Sequence, residues 1–339
     1  MRSLLRLVAL VLSIGLAAAA YTGFRIFQRP VTGKSGQKVT IWIVPGSSSQ
    51  RIAEQLVNSG VLGDAWPFKV LIRLTRSHKR LKPGEYFFFA PSSPWEVYQS
   101  LLHEQVVQYR ITVPEGLTSL QTAAIFSDTL GIPIAAFQAL LDDGAFRARL
   151  KVPTRRFEGF LFPDTYHFPK TATPEKILET LVRSFERRIG KDDLALARAH
   201  GWSLVEWVTF ASILEKETGL ASEYPLVSSV FHNRLKKKMR LQSDPTVIYG
   251  IENFNGNLTK KDLQTQTAYN TYTNGGLPPG PICNPGIGAL QAALHPAKTD
   301  YLYFVATGSG SHVFSSDYET HRKFVAQYQL GQTKLEPQP

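Results

Sequence analysis

Residues 204–214 read LVEWVTFASIL, a run that is apolar on nearly every side of a helix. Ser203 and Glu206 have the spacing of a capping box that opens this helix, and the pattern continues to about Thr218. A helix without a polar face has to be buried, with other elements packed around it. Its C-terminal turn nevertheless carries two carboxylates, Glu215 and Glu217. Burying a carboxylate is costly unless it is paired or put to use. Glu217 shares a face with Phe210, Ile213 and Leu214, and Glu215 with Val208 and Ala211, so periodicity does not choose between them. Position favours Glu217, because a cleft can open beside a helix end. An acid held against apolar walls has a raised pKa and can act as a general acid at neutral pH. The competing expectation is a structural network in which both acids pair with Lys216, Arg234 or another base.

The N-terminus bears on where such a domain works. Leu7 to Phe24 is uncharged, with Arg2 and Arg6 before it and Arg25 and Arg29 after it. That length is enough to cross a bilayer as a helix. Ala17–Ala20 would suit a signal-peptide cleavage site, but the apolar run continues past them through Tyr21 and Phe24. The expectation is therefore a short cytoplasmic stub (1–6), a retained transmembrane anchor (7–27) and a Pro/Gly/Ser/Lys linker (28–37). The rest of the chain would then lie outside the membrane.

The 339 residues carry 38 Lys and Arg against 27 Asp and Glu, a net charge of +11. Such a surface suits an anionic partner: nucleic acid, an acidic membrane surface or an acidic wall polymer. No recognised nucleic-acid motif is present, and the anchor points away from the cytoplasm, so nucleic acid is not expected. The single cysteine, Cys283, excludes an internal disulfide and a thiolate metal cage. His232, His295, His312 and His321 lack the spacing of a metal-binding motif, so neither a metal nor a cofactor is expected.

Along the chain, VTIWIVPG alternates as a strand and stops at Pro45-Gly46, and SSSQRIAEQLVNSGVL follows as a helix ending at Gly60. Tyr86 to Phe89 reads as a strand, and Ser93-Pro94 opens another helix. Residues 111–132 repeat the plan of 42–62: strand, Val-Pro, Gly, small polar residues, then a helix closing on Gly. The pattern resembles the LysM-type glycan-binding module, and equally two similar strand–helix units. YLYFVA (301–306) and HVFSS (312–316) form a hairpin pattern around TGSGS.

Two later segments carry polar chemistry. HNRLKKKMRLQSDPTVIYG (232–250) places Gln242, Ser243 and Asp244 against Pro245, behind a basic run that reads as a solvated helix face. TAYNTYTNGGLPPGPICNPG (267–286) interleaves Tyr269, Asn270 and Tyr272 with a Gly/Pro-rich loop. Aromatic faces and amides on a stiffened loop suit sugar binding, at a low entropy cost for holding the geometry. Core packing is the competing role for the tyrosines.

In order, the blocks EGFLFPDTY (158–166), ASILEKET (211–218), ASE (221–223), NRL (233–235), RLQSDPTVIYG (240–250), AYNTY (268–272), GLPPGPI (276–282) and HPAKTDYLYFVA (295–306) resemble the endolytic murein transglycosylase family (MltG/YceG-like). The resemblance covers roughly residues 38–330 and departs at Cys283, where the family often has a smaller residue. The expected fold is α+β, with a LysM-like module (38–112), a larger catalytic domain (113–328) and, from its composition, a disordered tail (329–339). The resemblance implies a lytic transglycosylase in the bacterial inner membrane, single-pass, with its catalytic domain on the periplasmic side. Its substrate would be peptidoglycan glycan strands, and its partners penicillin-binding synthases and the elongation machinery. The second glutamate of the E-K-E-T block, Glu217, is the implied catalytic acid. Gln242, Asp244, Tyr269, Asn270 and Tyr272 are expected to bind substrate, with Glu158, Glu215 and Glu223 in supporting roles. A muramidase-type hydrolase using Asp244 or Glu223 to activate water, and a non-catalytic wall-binding scaffold for synthases, remain as alternatives.

Overall fold

The fold, obtained as a computed structural model, describes residues 2–28, 36–103 and 106–329. Most of the expected linker (29–35) and all of the expected tail beyond Gln329 lie outside the described residues. The chain mixes helices and short strands, as an α+β reading requires. It divides into two compact units: one up to Arg110 together with His167–Ala172, the other Ile111–Tyr166 with the chain from Thr173 onward.

In the first unit, helix α1 (Arg2–Gln28) contains the segment Leu10–Gln28, long and apolar enough to cross a membrane. Strand β1 (Gln37–Ile43) leads through a turn at Gly46 into α2 (Ser49–Asn58), capped by the Ser48 hydroxyl on the Arg51 N–H. Helix α3 (Trp66–Leu74) follows, then β2 (Gly84–Ala90), antiparallel to β1. Alternation puts Ile41, Ile43, Tyr86 and Phe88 on one face of this pair. They pack against Leu56, Phe68 and Val97, the last from α4 (Pro94–Leu102), in a single hydrophobic core. The strand, glycine turn and helix read from 38–60 are present.

The second unit begins on β3 (Tyr109–Thr112), which pairs with β4 (Thr165–Phe168). Between them lie α5 (Ser119–Leu130), α6 (Ile134–Asp142) and α7 (Gly144–Arg149). Helix α5 has a capping box of Thr118 and Gln121 and ends on left-handed Gly131. Two helices, α8 (Pro174–Arg188) and α9 (Lys191–Ala199), then lead to the apolar helix α10 (Leu204–Glu217), started by the Ser203/Glu206 box. All of Trp207–Leu214 is buried. The helices around it are α9, α11 (Tyr224–Lys236), α12 (Asp244–Gly250) and α14 (Ile287–Leu294). Short α13 (Lys260–Gln264) precedes the proline-rich loop. Strands β5 (Tyr303–Ala306) and β6 (His312–Ser315) form the late hairpin, and α15 (Tyr318–Tyr328) follows it.

Asn284 ties three distant segments of this unit together. Its Oδ1 accepts from the N–H groups of Gly159 and Leu161, both at 3.0 Å, while its Nδ2 donates to the Leu117 carbonyl. Gly159 has φ +88°, and a Cβ there would lie 2.7 Å from Val208 and 2.6 Å from Pro281. Only glycine lets the loop carrying Glu158 approach α10 and the proline-rich loop this closely.

Candidate active site

The last residue of α10, Glu217, is half-buried and lines a cleft of about 460 Å³. Gln242, Asp244 and Tyr272 line the same cleft, with Arg234, Tyr303, His312 and His321. The Ser243 hydroxyl donates to Glu217 Oε1. Ser243 is itself fixed, its N–H donating to Thr271 Oγ1 at 2.9 Å. The Tyr272 hydroxyl donates to Asp244 Oδ1 at 2.6 Å. Burial pushes the Glu217 carboxyl up to about 7, the negative Asp244 adds to the rise, and the Ser243 bond and the Arg234 charge oppose it.

Arg234 sets much of this geometry. It is buried on α11, donating from Nε to the Leu302 carbonyl and from Nη1 to the Leu241 carbonyl, each at 2.7 Å, and it lies over the Tyr303 ring. One side chain thus holds the segment that carries Gln242–Asp244 and the start of the hairpin strand. His321 on α15 stacks on the same Tyr303, and its buried Nδ1 has no hydrogen-bond partner among the described residues.

The other acids have separate surroundings. Glu215 accepts from the Gly286 N–H at 2.9 Å and the Tyr224 hydroxyl at 3.0 Å, joining α10 to α11 and the turn before α14. Burial raises its pKa. Glu223 accepts from the Thr218 hydroxyl and, through both oxygens, from His312 at 2.7 and 2.8 Å. Burial works against its charge, but the bonds from His312 and Thr218 outweigh that and hold its pKa below the usual value. It ties hairpin strand β6 to the start of α11. Glu158 is buried, 6% exposed. Its Oε1 accepts from the Ser119 N–H at 2.8 Å and the Ser119 hydroxyl at 3.2 Å, and its Oε2 from the Tyr249 hydroxyl at 3.2 Å. Burial lifts it to about 7 despite these donors. It faces a different cavity, which Tyr269 also lines.

The expected substrate-binding set therefore divides. Gln242, Asp244 and Tyr272 gather beside Glu217. Tyr269 instead packs edge-on against Tyr249, their ring centres 4.8 Å apart, on the side of Glu158. Asn270 departs from the expectation of glycan contact. It is fully buried, its Nδ2 donating to the carbonyls of Leu263 and Thr265 and its Oδ1 accepting from the Tyr272 N–H at 2.8 Å. Its amide is consumed in folding the loop that aims Tyr272. Sequence reasoning passed over Ser243 and Tyr249 as site residues, although both lie in the RLQSDPTVIYG block. Among the described residues no group of three or more metal-ligating side chains occurs.

Residues 41–327 match the YceG-like family. The chain belongs to that family. Over 318 residues it is 33% identical to the endolytic murein transglycosylase of Bacillus subtilis (strain 168), covering 88% of this chain and 87% of that protein. It is also 27% identical over 348 residues to the endolytic murein transglycosylase of Streptococcus pneumoniae serotype 2 (strain D39 / NCTC 7466), covering 92% of this chain and 63% of that relative. The crystal structure of a YceG-like protein from Listeria monocytogenes superposes with a TM-score of 0.59 at 32% identity, over 85% of this chain and 99% of that one. The family expected from the ordered motif blocks is thus the family found, and the mixed fold of this YceG-like chain accords with it.

Proposed function

We propose that this YceG-like chain is an endolytic murein transglycosylase, anchored by α1, that cuts the bond between N-acetylmuramic acid and N-acetylglucosamine within glycan strands. Its relatives' activity supports the reaction class. The observation that carries the residue assignment is Glu217, an acid with its pKa lifted to about 7 and open to a cleft lined by polar and aromatic groups. At neutral pH it holds a proton to give. It protonates the leaving glycosidic oxygen, and the carboxylate it becomes is favoured by the Ser243 hydroxyl and the Arg234 charge. That carboxylate then takes the proton of the muramoyl C6 hydroxyl, whose oxygen closes onto C1 as a 1,6-anhydro ring. The substrate supplies the nucleophile, so the second, water-activating carboxylate of inverting glycosidases is not required. Asp244, fixed by Tyr272, offers negative charge to the cationic sugar of the transition state. Gln242 and Tyr272 contact the glycan, while Asn270, Glu215 and Glu223 hold elements in place.

In this reading α1 is oriented N-in, with the larger unit at the outer face of the cytoplasmic membrane, where wall synthases and the elongation machinery would be its neighbours. The strand, glycine turn and helix of residues 37–58 support a LysM-like, glycan-gripping role for the first unit. The hydrolase alternative draws on Asp244, a second carboxylate in the same cleft. Digestion of purified peptidoglycan by the full-length protein in detergent, with muropeptides read by mass spectrometry, separates the readings. New 1,6-anhydro ends from the wild type and none from Glu217→Gln are expected. Reducing ends would make it a hydrolase, and binding without any new ends would make it a scaffold.

A further inference from the structure

Beside the Glu217 cleft lie two cavities of about 690 and 580 Å³ that share Arg156, Glu158 and Tyr249 as lining residues. They adjoin the cleft through neighbours in sequence. Glu217 and Asp244 line the cleft, whereas Lys216 and Pro245, one residue away from each, line the smaller cavity. Helix α12 runs from one place to the other, with Asp244 at its start and Tyr249 near its end. Five residues of helix span about 7.5 Å.

The charge of this second region is unspent. Arg155 and Arg156 are exposed, and neither forms an ion pair among the described residues. Arg156 acts on Glu158 through its charge, while Glu158 itself is occupied by Ser119 and Tyr249. Glu252 lines the larger cavity and, among the described residues, has no ion pair with either arginine. Burial lifts Glu158 to about 7, so its negative charge is only partly developed near neutral pH and its repulsion of an incoming anion is reduced. The edge-on Tyr249–Tyr269 pair and Pro281 add an apolar wall.

We propose that the Arg155/Arg156 cavity binds the free carboxylates of the short peptides that murein strands carry on their muramic acid units. The proposal rests on the murein reading of the Glu217 cleft. While the lactyl carboxyl of each muramic acid is held as the peptide amide, the sugar backbone is uncharged. The two guanidiniums therefore find their anionic partner in the peptide, where a carboxylate accepts both arms of the guanidinium fork. Reach agrees. An extended peptide covers about 3.3–3.6 Å per residue, so two or three residues from a sugar held at Glu217 extend to the cavity. The tyrosine and proline wall suits the alkyl side chains of such a peptide. The site makes the enzyme prefer strands whose peptides are still attached, and it acts on specificity rather than on the bond-breaking step.

The test uses the full-length protein in detergent and two substrates: glycan strands with intact peptides, and the same strands stripped by an amidase. The amidase removes the peptide carboxylates and leaves only a lactyl carboxylate on the sugar itself, short of the cavity. In Arg155→Ala/Arg156→Ala both truncated side chains are exposed, so the fold is retained. The wild type is expected to cleave peptide-bearing strands with kcat/KM about tenfold above that on bare strands. The double variant should lose that advantage through KM, leave bare strands unaffected, and recover part of it as Arg155→Lys/Arg156→Lys. Equal loss on both substrates, or no loss on either, overturns the proposal. Binding of both strand types to Glu217→Gln, with and without the arginine changes, is measured in parallel and needs no turnover. If the wild type cuts neither substrate, the murein-cleavage reading fails, and the binding arm still decides whether the arginines recognise the peptide carboxylates.

Discussion

Glu217, half-buried, and Glu158, buried, are both glutamates lifted to about 7 by desolvation, and their surroundings separate them. Among the described residues Glu217 accepts one hydrogen bond, from a serine hydroxyl, and it opens on a cleft with a cation and a second carboxylate beside it. Glu158 accepts three, one of them from a backbone N–H that no side-chain change can remove. A raised pKa alone therefore does not mark a catalytic acid. Spare bonding capacity facing a cleft does, because the group can release and regain its proton without breaking the fold.

The comparison is broken most directly at Glu217. Glu217→Gln keeps the shape and removes the proton, so activity should fall about 10³-fold with the melting temperature unchanged or raised. An active Glu217→Gln enzyme would shift the chemistry to another group.

Next comes the pH dependence of stability. Both acids titrate higher when folded than at their ordinary value of 4.5, so the native state holds more protons than the unfolded chain between 4.5 and about 7. Their contribution is greatest below 4.5 and declines as pH rises through about 7, on the order of 3 kcal/mol for each group. Denaturant titrations of the wild type should show this decline. Glu217→Gln and Glu158→Gln should each remove one share of it.

Glu158→Ala should give the reverse of the Glu217 result. It leaves the Ser119 N–H, the Ser119 hydroxyl and the Tyr249 hydroxyl without their acceptor, costing about 1–3 kcal/mol of stability. The specific activity of the folded fraction on bare glycan strands should stay within about tenfold of the wild type. A loss as deep as that of Glu217→Gln at unchanged stability would place Glu158 in the reaction instead.

The smallest effects sharpen the electrostatics. In the proposed mechanism Glu217 acts protonated, so the rate should fall as pH rises through about 7. Asp244→Asn removes a neighbouring negative charge and should move that limb to lower pH. Ser243→Ala removes a donor that favours the carboxylate and should move it to higher pH. Shifts in the same direction would refute the assignment of these two neighbours.

Much of the framework was legible because it is local. The apolar run with its capping box identified α10, since a helix without a polar side must be central. The hairpin at 301–316 and the helix opened by Ser93-Pro94 follow from turn and cap chemistry within a few residues. The segment His167–Ala172, by contrast, belongs with the first unit, and no local signal marks it, because its membership is decided by contacts remote in the chain.

The site was legible in kind and not in detail. From the sequence alone came the family, the buried helix with two acids at its end, and the polar segments that would supply its neighbours. Only the tertiary structure separated the acids. Glu215 meets Gly286, 71 residues away, and Tyr224, while Glu217 meets Ser243 and the cleft. The same packing turned Asn270 inward and sent Tyr269 to Glu158 and Tyr272 to Asp244. Helical periodicity reports which side of a helix is apolar. Which distant donor arrives at that side depends on how α10, α11, α12 and the proline-rich loop come together, and no short stretch of sequence encodes that.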